Sequence, residues 1–162
     1  MPDSSTYLYV HFIWATWNRT PLITPKLEGP IYACISDKCR ELRCQLIAIG
    51  GIEDHVHALV RVHPAVSVSQ LAKGMKGASS HLVAHEIAAG YEFKWQGGYG
   101  ALSVSRGHVR RVCEYIKRQK EHHGHGDLWP ALEEVPEPGA LDEEPAPAGF
   151  AHLAPDFNRG AL

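Results

Sequence analysis

Long apolar runs are missing from this chain. No stretch of its 162 residues reaches the ~18 consecutive apolar positions that a membrane-spanning helix needs. The N-terminal stretch "MPDSSTYLYVHFIWATW" has no basic n-region and no small-residue cleavage site, so no secretion signal is read and a cytoplasmic protein without membrane contact is expected. Cysteine is scarce. The four present, Cys34, Cys39, Cys44 and Cys113, have no C-x-x-C spacing, which argues against a disulfide framework and for small buried hydrophobes. Internal repeats are absent as well.

Net charge is also small, at −2, but the charges are unevenly placed. Residues 127–162 hold eight acids and a single base, Arg159, which leaves ten acids and fifteen bases in residues 1–126. The body is therefore basic, at +5, and suits a polyanionic partner. The segment "EEVPEPGALDEEPAPAGF" is rich in Pro, Glu and Ala and has little periodicity. A domain over 1–126 followed by a poorly structured or loosely docked tail over 127–162 is expected.

The body reads as alternating strands and helices. "YLYVHFIWATW" is aromatic and β-branched with a two-residue rhythm, a first strand. Pro21 and Pro25 then break the chain. Ile31, Cys34, Ile35, Cys39 and Leu42 share one face of a helix, with Pro30 suited to its first turn. "CQLIAIGGIE" and "DHVHALVRV" form a hairpin. A second helix presents Leu71, Met75, Ala78, Leu82 and His85 on one face. "WQGGYGALSVS" is a fourth strand. "GHVRRVCEYIKRQKEHH" is a third helix, with Ser105 as N-cap. The order β-α-β-β-α-β-α predicts an α+β fold: a ferredoxin-like split βαβ antiparallel sheet with helices on one face, plus a C-terminal helix.

One short stretch carries chemistry. In "EDHVHALV" strand alternation turns His55 and His57 to the same side, ~7 Å apart along the chain. Val56, Ala58 and Val60 face the helices, so the histidines are expected on the open face of the sheet. Two imidazoles suit Mn, Zn, Fe or Ni and tolerate Mg with oxygen partners, but they saturate none of these ions. On the third helix, Val109, Val112, Cys113 and Ile116 form an apolar stripe. Tyr115 and Gln119 stack at i and i+4 beside it. A tyrosine hydroxyl one turn from an oxygen ligand suits nucleophilic attack on a phosphate polarised by a nearby cation. Asp54 either tunes His55 from behind or caps the turn. His122, His123 and His125 resemble a small metal tract, although helix-end histidines more often complement the dipole. A structural-metal or metal-sensing protein built on His55 and His57 is an alternative that leaves Tyr115 and Gln119 unexplained.

Taken in order, these segments resemble a known family. "HVH" resembles the His-hydrophobic-His motif of the HUH nucleases, and "EYIKRQKEHH" the tyrosine helix of single-tyrosine transposases, with its Tyr-x-x-x-Gln spacing. "YLYVHFIWATWNRTPLI", "LAKGMKGASSHL" and "FKWQGGYGALSVS" are similar to other segments of the IS200-like and REP-associated tyrosine transposases. The likeness runs from about Tyr7 to His123. It implies that Tyr115 attacks a phosphodiester of single-stranded DNA at an imperfect hairpin, leaving a 5′-phosphotyrosine and a free 3′-OH. It further implies that His55, His57 and Gln119 bind Mg²⁺ or Mn²⁺. The protein would act as a homodimer in which the tyrosine helix can complete the partner's site. Glu53 departs from the proline that many relatives have before the Asp-His pair.

DNA would need cations and flat faces. Lys73, Lys76, Arg106, Arg110, Arg111, Lys117, Arg118 and Lys120 are the candidate phosphate contacts. Trp14, Trp17, Trp95 and Tyr99 are either stacking platforms for bases or packing residues. The alternatives are a non-catalytic single-stranded nucleic-acid binding module of the RNA-recognition type, which has the same sheet although the aromatic run of such modules is absent here, and a domesticated relative that keeps the ligands but has lost its element.

Overall fold

The computed structural model describes residues 4–126; the acidic segment 127–162 lies outside the described residues. The elements are β1 (Tyr9–Ala15), α1 (Pro25–Glu41), β2 (Gln45–Ile52), β3 (His55–Arg61), α2 (Val68–His81), β4 (Gly100–Val104), α3 (Val109–Lys117) and α4 (Gln119–His125). The strands form one sheet in the order β2-β3-β1-β4, with every pairing antiparallel. The first and third strands are central, as the split βαβ order requires. No helix among the described residues is long and apolar enough to cross a membrane.

Alternation along the central strands divides the core. Phe12 and Trp14 of β1 and Val56, Ala58 and Val60 of β3 face Leu27, Ile31, Ile35 and Cys39 of α1 and Leu71, Ala72 and Met75 of α2. The opposite face carries a smaller cluster, in which Ala48 and Leu59 receive Val112 and Ile116 of α3. Fully burying a large aliphatic side chain contributes about 1.5–3 kcal/mol, so those two residues seat α3 with roughly 3–6 kcal/mol. The α1/α2 side is held by far more surface.

Gly50 makes the α3 seat possible. A Cβ at this position would lie 2.2 Å from the Ile116 carbonyl oxygen, so only glycine lets the end of α3 rest on β2. The Val109, Val112, Cys113 and Ile116 stripe read from the sequence is the surface that packs there.

Four expectations change. First, the histidine face is not open: α3 covers it, and His55 and His57 are fully buried. The helix stripe needed an apolar partner, and Ala48 and Leu59 are that partner. Second, the third helix is not continuous. It opens with a 3₁₀ turn at Arg106–His108 and breaks at Arg118 (φ −102°, ψ 21°), so Tyr115 lies in the last turn of α3 and Gln119 begins α4. Ser105 precedes the 3₁₀ turn, but its hydroxyl bonds the His108 ring rather than a backbone N–H.

Third, α1 starts at Pro25, leaving Pro30 inside the helix. Proline at a first helical position is preorganised, so the residue read as a breaker is the helix start. Fourth, α2 buries Leu71, Ala72, Met75 and Ser79, and a wider turn over Leu82–Ile87 follows with Val83 inward and His85 exposed. Buried Ser79 is satisfied: its hydroxyl donates to the Met75 carbonyl at 2.7 Å and accepts the Trp95 indole N–H at 3.0 Å.

Candidate active site

The site lies between the central strands and the α3–α4 corner. Register places His57 opposite Ile13 and His55 opposite Ala15 on β1. The turn before His55 is fixed from two sides, by the Thr16 N–H on the Asp54 carbonyl at 2.9 Å and the Ile23 N–H on the Glu53 carbonyl at 3.0 Å. Asp54 thereby holds its carboxylate 2.7 Å from His55 Nδ1. An ionised carboxylate only accepts, so Nδ1 is the donor and neutral His55 carries its lone pair on Nε2. Burial pushes the Asp54 carboxyl up, but the hydrogen bond from His55 and the Arg19 guanidinium are foremost among the effects that outweigh it and leave it below its ordinary value.

His57 is held differently. Its Nδ1 is 2.9 Å from His11 Nε2, and the two rings stack with centroids 5.0 Å apart and an 18° tilt. His11 is fully buried on β1 and was not singled out from the sequence. The two-residue rhythm of "YVHFIW" puts it on the face of Tyr9 and Ile13. What the sequence did not show is the β1–β3 register that slides it against His57.

The α3–α4 corner supplies the rest. Tyr115 is 2% exposed. Its ring meets His57 edge-on at 6.1 Å and stacks on His122 at 4.6 Å. Gln119 Oε1 stands 3.4 Å from His55 Nε2. His123 Nε2 is 3.2 Å from both His55 Nε2 and Gln119 Oε1. The helix-end histidines 122 and 123 thus belong to the site, because α4 packs against β2, within reach of His55. Their signal was the histidine density itself.

The donor chemistry fits a divalent cation. Adjacent ligands on an ion with bonds near 2.1 Å stand about 3.0–3.4 Å apart, the spacing seen among His55 Nε2, Gln119 Oε1 and His123 Nε2. Among the described residues no three His, Cys, Asp or Glu side chains stand close enough together to hold an ion by themselves, so ligation here needs the Gln119 carboxamide and closure of the His57 ring onto the ion. The set is imidazole plus carboxamide oxygen, which suits an ion that keeps open positions.

The basic residues divide. Lys76 is committed to the fold, donating to the carbonyls of Gln96, Gly97 and Gly98 at 2.7, 3.0 and 2.9 Å, and burial pulls its pKa down. Lys120 pairs with Glu28 and Arg118 with Glu121, each at 2.8 Å. Arg110 stands 3.4 Å from Glu114, and Arg106 lies over the Tyr7 ring at 4.0 Å. Lys73, Arg111 and Lys117 are exposed. Trp14 and Trp95 are core residues in edge-to-face contact at 5.8 Å, and Tyr99 packs near Phe12. Trp17 is exposed, under Lys94 Nζ at 3.8 Å.

Fold and site define a class first: an α+β protein whose antiparallel sheet carries a histidine centre closed over by a tyrosine-bearing helix. The chain belongs to the IS200-like transposase family, whose sequence model matches residues 4–119, a span that includes His55, His57, Tyr115 and Gln119. Membership places it among DNA-cleaving, strand-transferring enzymes. It is 24% identical over 136 residues to the transposase for insertion sequence element IS200 of Salmonella typhimurium, covering 80% of this chain and 86% of that protein. The Salmonella typhi counterpart matches equally. Two solved structures share the fold. One is a Deinococcus radiodurans R1 protein assigned as a transposase (TM-score 0.57, 22% identity, 74% of this chain and 96% of that one). The other is a REP-associated tyrosine transposase bound to a REP hairpin (TM-score 0.56, 17% identity, 80% and 81%).

Proposed function

We propose that this transposase cuts and rejoins single-stranded DNA at hairpin-bearing element ends through a 5′-phosphotyrosine intermediate. The observation that carries the reading is the meeting of Tyr115 with His57 at 6.1 Å, beside His55 and Gln119. The Tyr115 hydroxyl oxygen attacks phosphorus, and the P–O3′ bond breaks. The 3′ oxygen leaves as a free hydroxyl while the 5′ phosphate stays on the tyrosine. Attack by a 3′-OH on that linkage rejoins the strand and releases the phenol, so no high-energy cofactor is consumed.

His55, His57 and Gln119 would hold Mg²⁺ or Mn²⁺, which supplies Lewis-acid polarisation of the scissile phosphate. Asp54 fixes the His55 tautomer, and His11 fixes the His57 ring. A second copy of the chain is the proposed partner in a working homodimer. The binding-module alternative loses its platform, because α3 covers the sheet face and Trp14 and Trp95 are in the core.

The test is incubation of the protein with a labelled hairpin-bearing single strand in Mn²⁺. A detergent-stable adduct that disappears with chelator and in Tyr115→Phe is expected. Binding across many hairpins with no adduct contradicts the reading.

A further inference from the structure

We infer that His123 is a protein ligand of the divalent cation at this centre, joining His55, His57 and Gln119. The inference rests on the reading of the centre as a metal site and deepens it. His123 lies beyond the family match, which ends at residue 119.

Three distances carry the argument. His55 Nε2, Gln119 Oε1 and His123 Nε2 form a triangle with sides of 3.4, 3.2 and 3.2 Å. Asp54 accepts the hydrogen bond from His55 Nδ1–H, so Nε2 of the neutral ring is a lone pair. The Gln119 oxygen is also an acceptor. Two lone pairs and an imidazole nitrogen therefore converge, with His123 Nε2 within 3.2 Å of both other atoms. A cation can bring all three lone pairs to one centre at ordinary ligand spacing.

Local structure explains why His123 reaches there. Gln119 and His123 are i and i+4 on α4, so they project together. The pair meets His55 at the start of β3. A histidine present only to complement the helix dipole would face the terminal carbonyls and solvent. His123 instead packs its ring 4.7 Å from that of His55. With imidazole nitrogen added, the site favours Mn²⁺ over Mg²⁺, because Mg²⁺ prefers oxygen.

The experiment is titration of the full chain with Mn²⁺ alone, followed by calorimetry and by pulsed EPR. Wild type should bind one Mn²⁺, with nitrogen couplings from three imidazoles. His123→Ala should weaken binding on the order of ten- to a hundred-fold, lose one nitrogen coupling, and lose less affinity for Mg²⁺ than for Mn²⁺. His123→Gln, which keeps a donor and is the fallback should alanine disturb α4, should also lose the coupling but bind better than alanine. Unchanged affinity and couplings in both variants, with binding lost in His55→Ala, overturns the assignment of His123 while leaving the metal centre standing. No saturable Mn²⁺ binding by wild type overturns the metal centre and the inference with it.

Discussion

His57 has two ring nitrogens, and His11 takes one of them. The 2.9 Å contact at Nδ1 lets His57 use Nε2 for an ion only when its Nδ1 carries the proton and His11 Nε2 accepts it. His11→Ala would strand a buried donor, so a loss of about 1–3 kcal/mol is expected, along with weaker metal-dependent cleavage. His11→Asn should recover part of both, and thermal melts beside cleavage rates would check this. His57→Ala should abolish cleavage and also lower the melting temperature, since the residue is fully buried. A ligand on an open face would have cost activity alone. At this scale the sequence was legible where the cue was local. "HVH" and the Tyr-x-x-x-Gln spacing pointed to His55, His57, Tyr115 and Gln119, which the fold gathers. His11 was not legible, because its role arises from strand register, which no local pattern encodes; His123 was legible only as one of a histidine-dense helix end, without its place beside His55.

The α3 helix is the element that decides access. Tyr115 is almost fully buried, yet the apolar cluster that seats α3 is small, with Val112 and Ile116 buried and Val109 and Cys113 only partly so. Hydrogen exchange should therefore find α3 amides opening well before those of β1 and β3; equal protection would contradict this division of the core. Gly50→Ala places a methyl against the Ile116 carbonyl, next to the tyrosine. It should destabilise by about 1–3 kcal/mol and reduce adduct formation more than DNA binding. Lys76→Met should lower stability through the three carbonyls it leaves, whereas Lys73→Met, at an exposed position, should leave the melt unchanged. Element order and the α3 stripe were readable from periodicity. On α2, Leu71 and Met75 were readable as inward, but Ser79 was not, because it looks polar until the Trp95 indole is known to bond it.

Charge acts on the molecule as a whole. Residues 1–126 carry a net +5 and residues 127–162 carry eight acids, so single-strand affinity should fall steeply with salt. Removing Arg111 and Lys117 together, both exposed on α3, should lower the log–log salt slope by about 1.4 if each meets a phosphate. An unchanged slope would place the DNA elsewhere. The sheet order was legible in the alternation of strand and helix, but the covered histidine face was not. Periodicity shows that a helix has an apolar stripe without showing which side of the sheet receives it.

The central claim is that Tyr115 becomes covalently attached to DNA. The most direct measurement is mass spectrometry of the trapped, protease-digested adduct from a hairpin-bearing single strand. The account predicts a nucleotide joined through its 5′ phosphate to the peptide containing Tyr115. Attachment to any other residue, or cleavage with no protein-bound nucleotide at all, would contradict it.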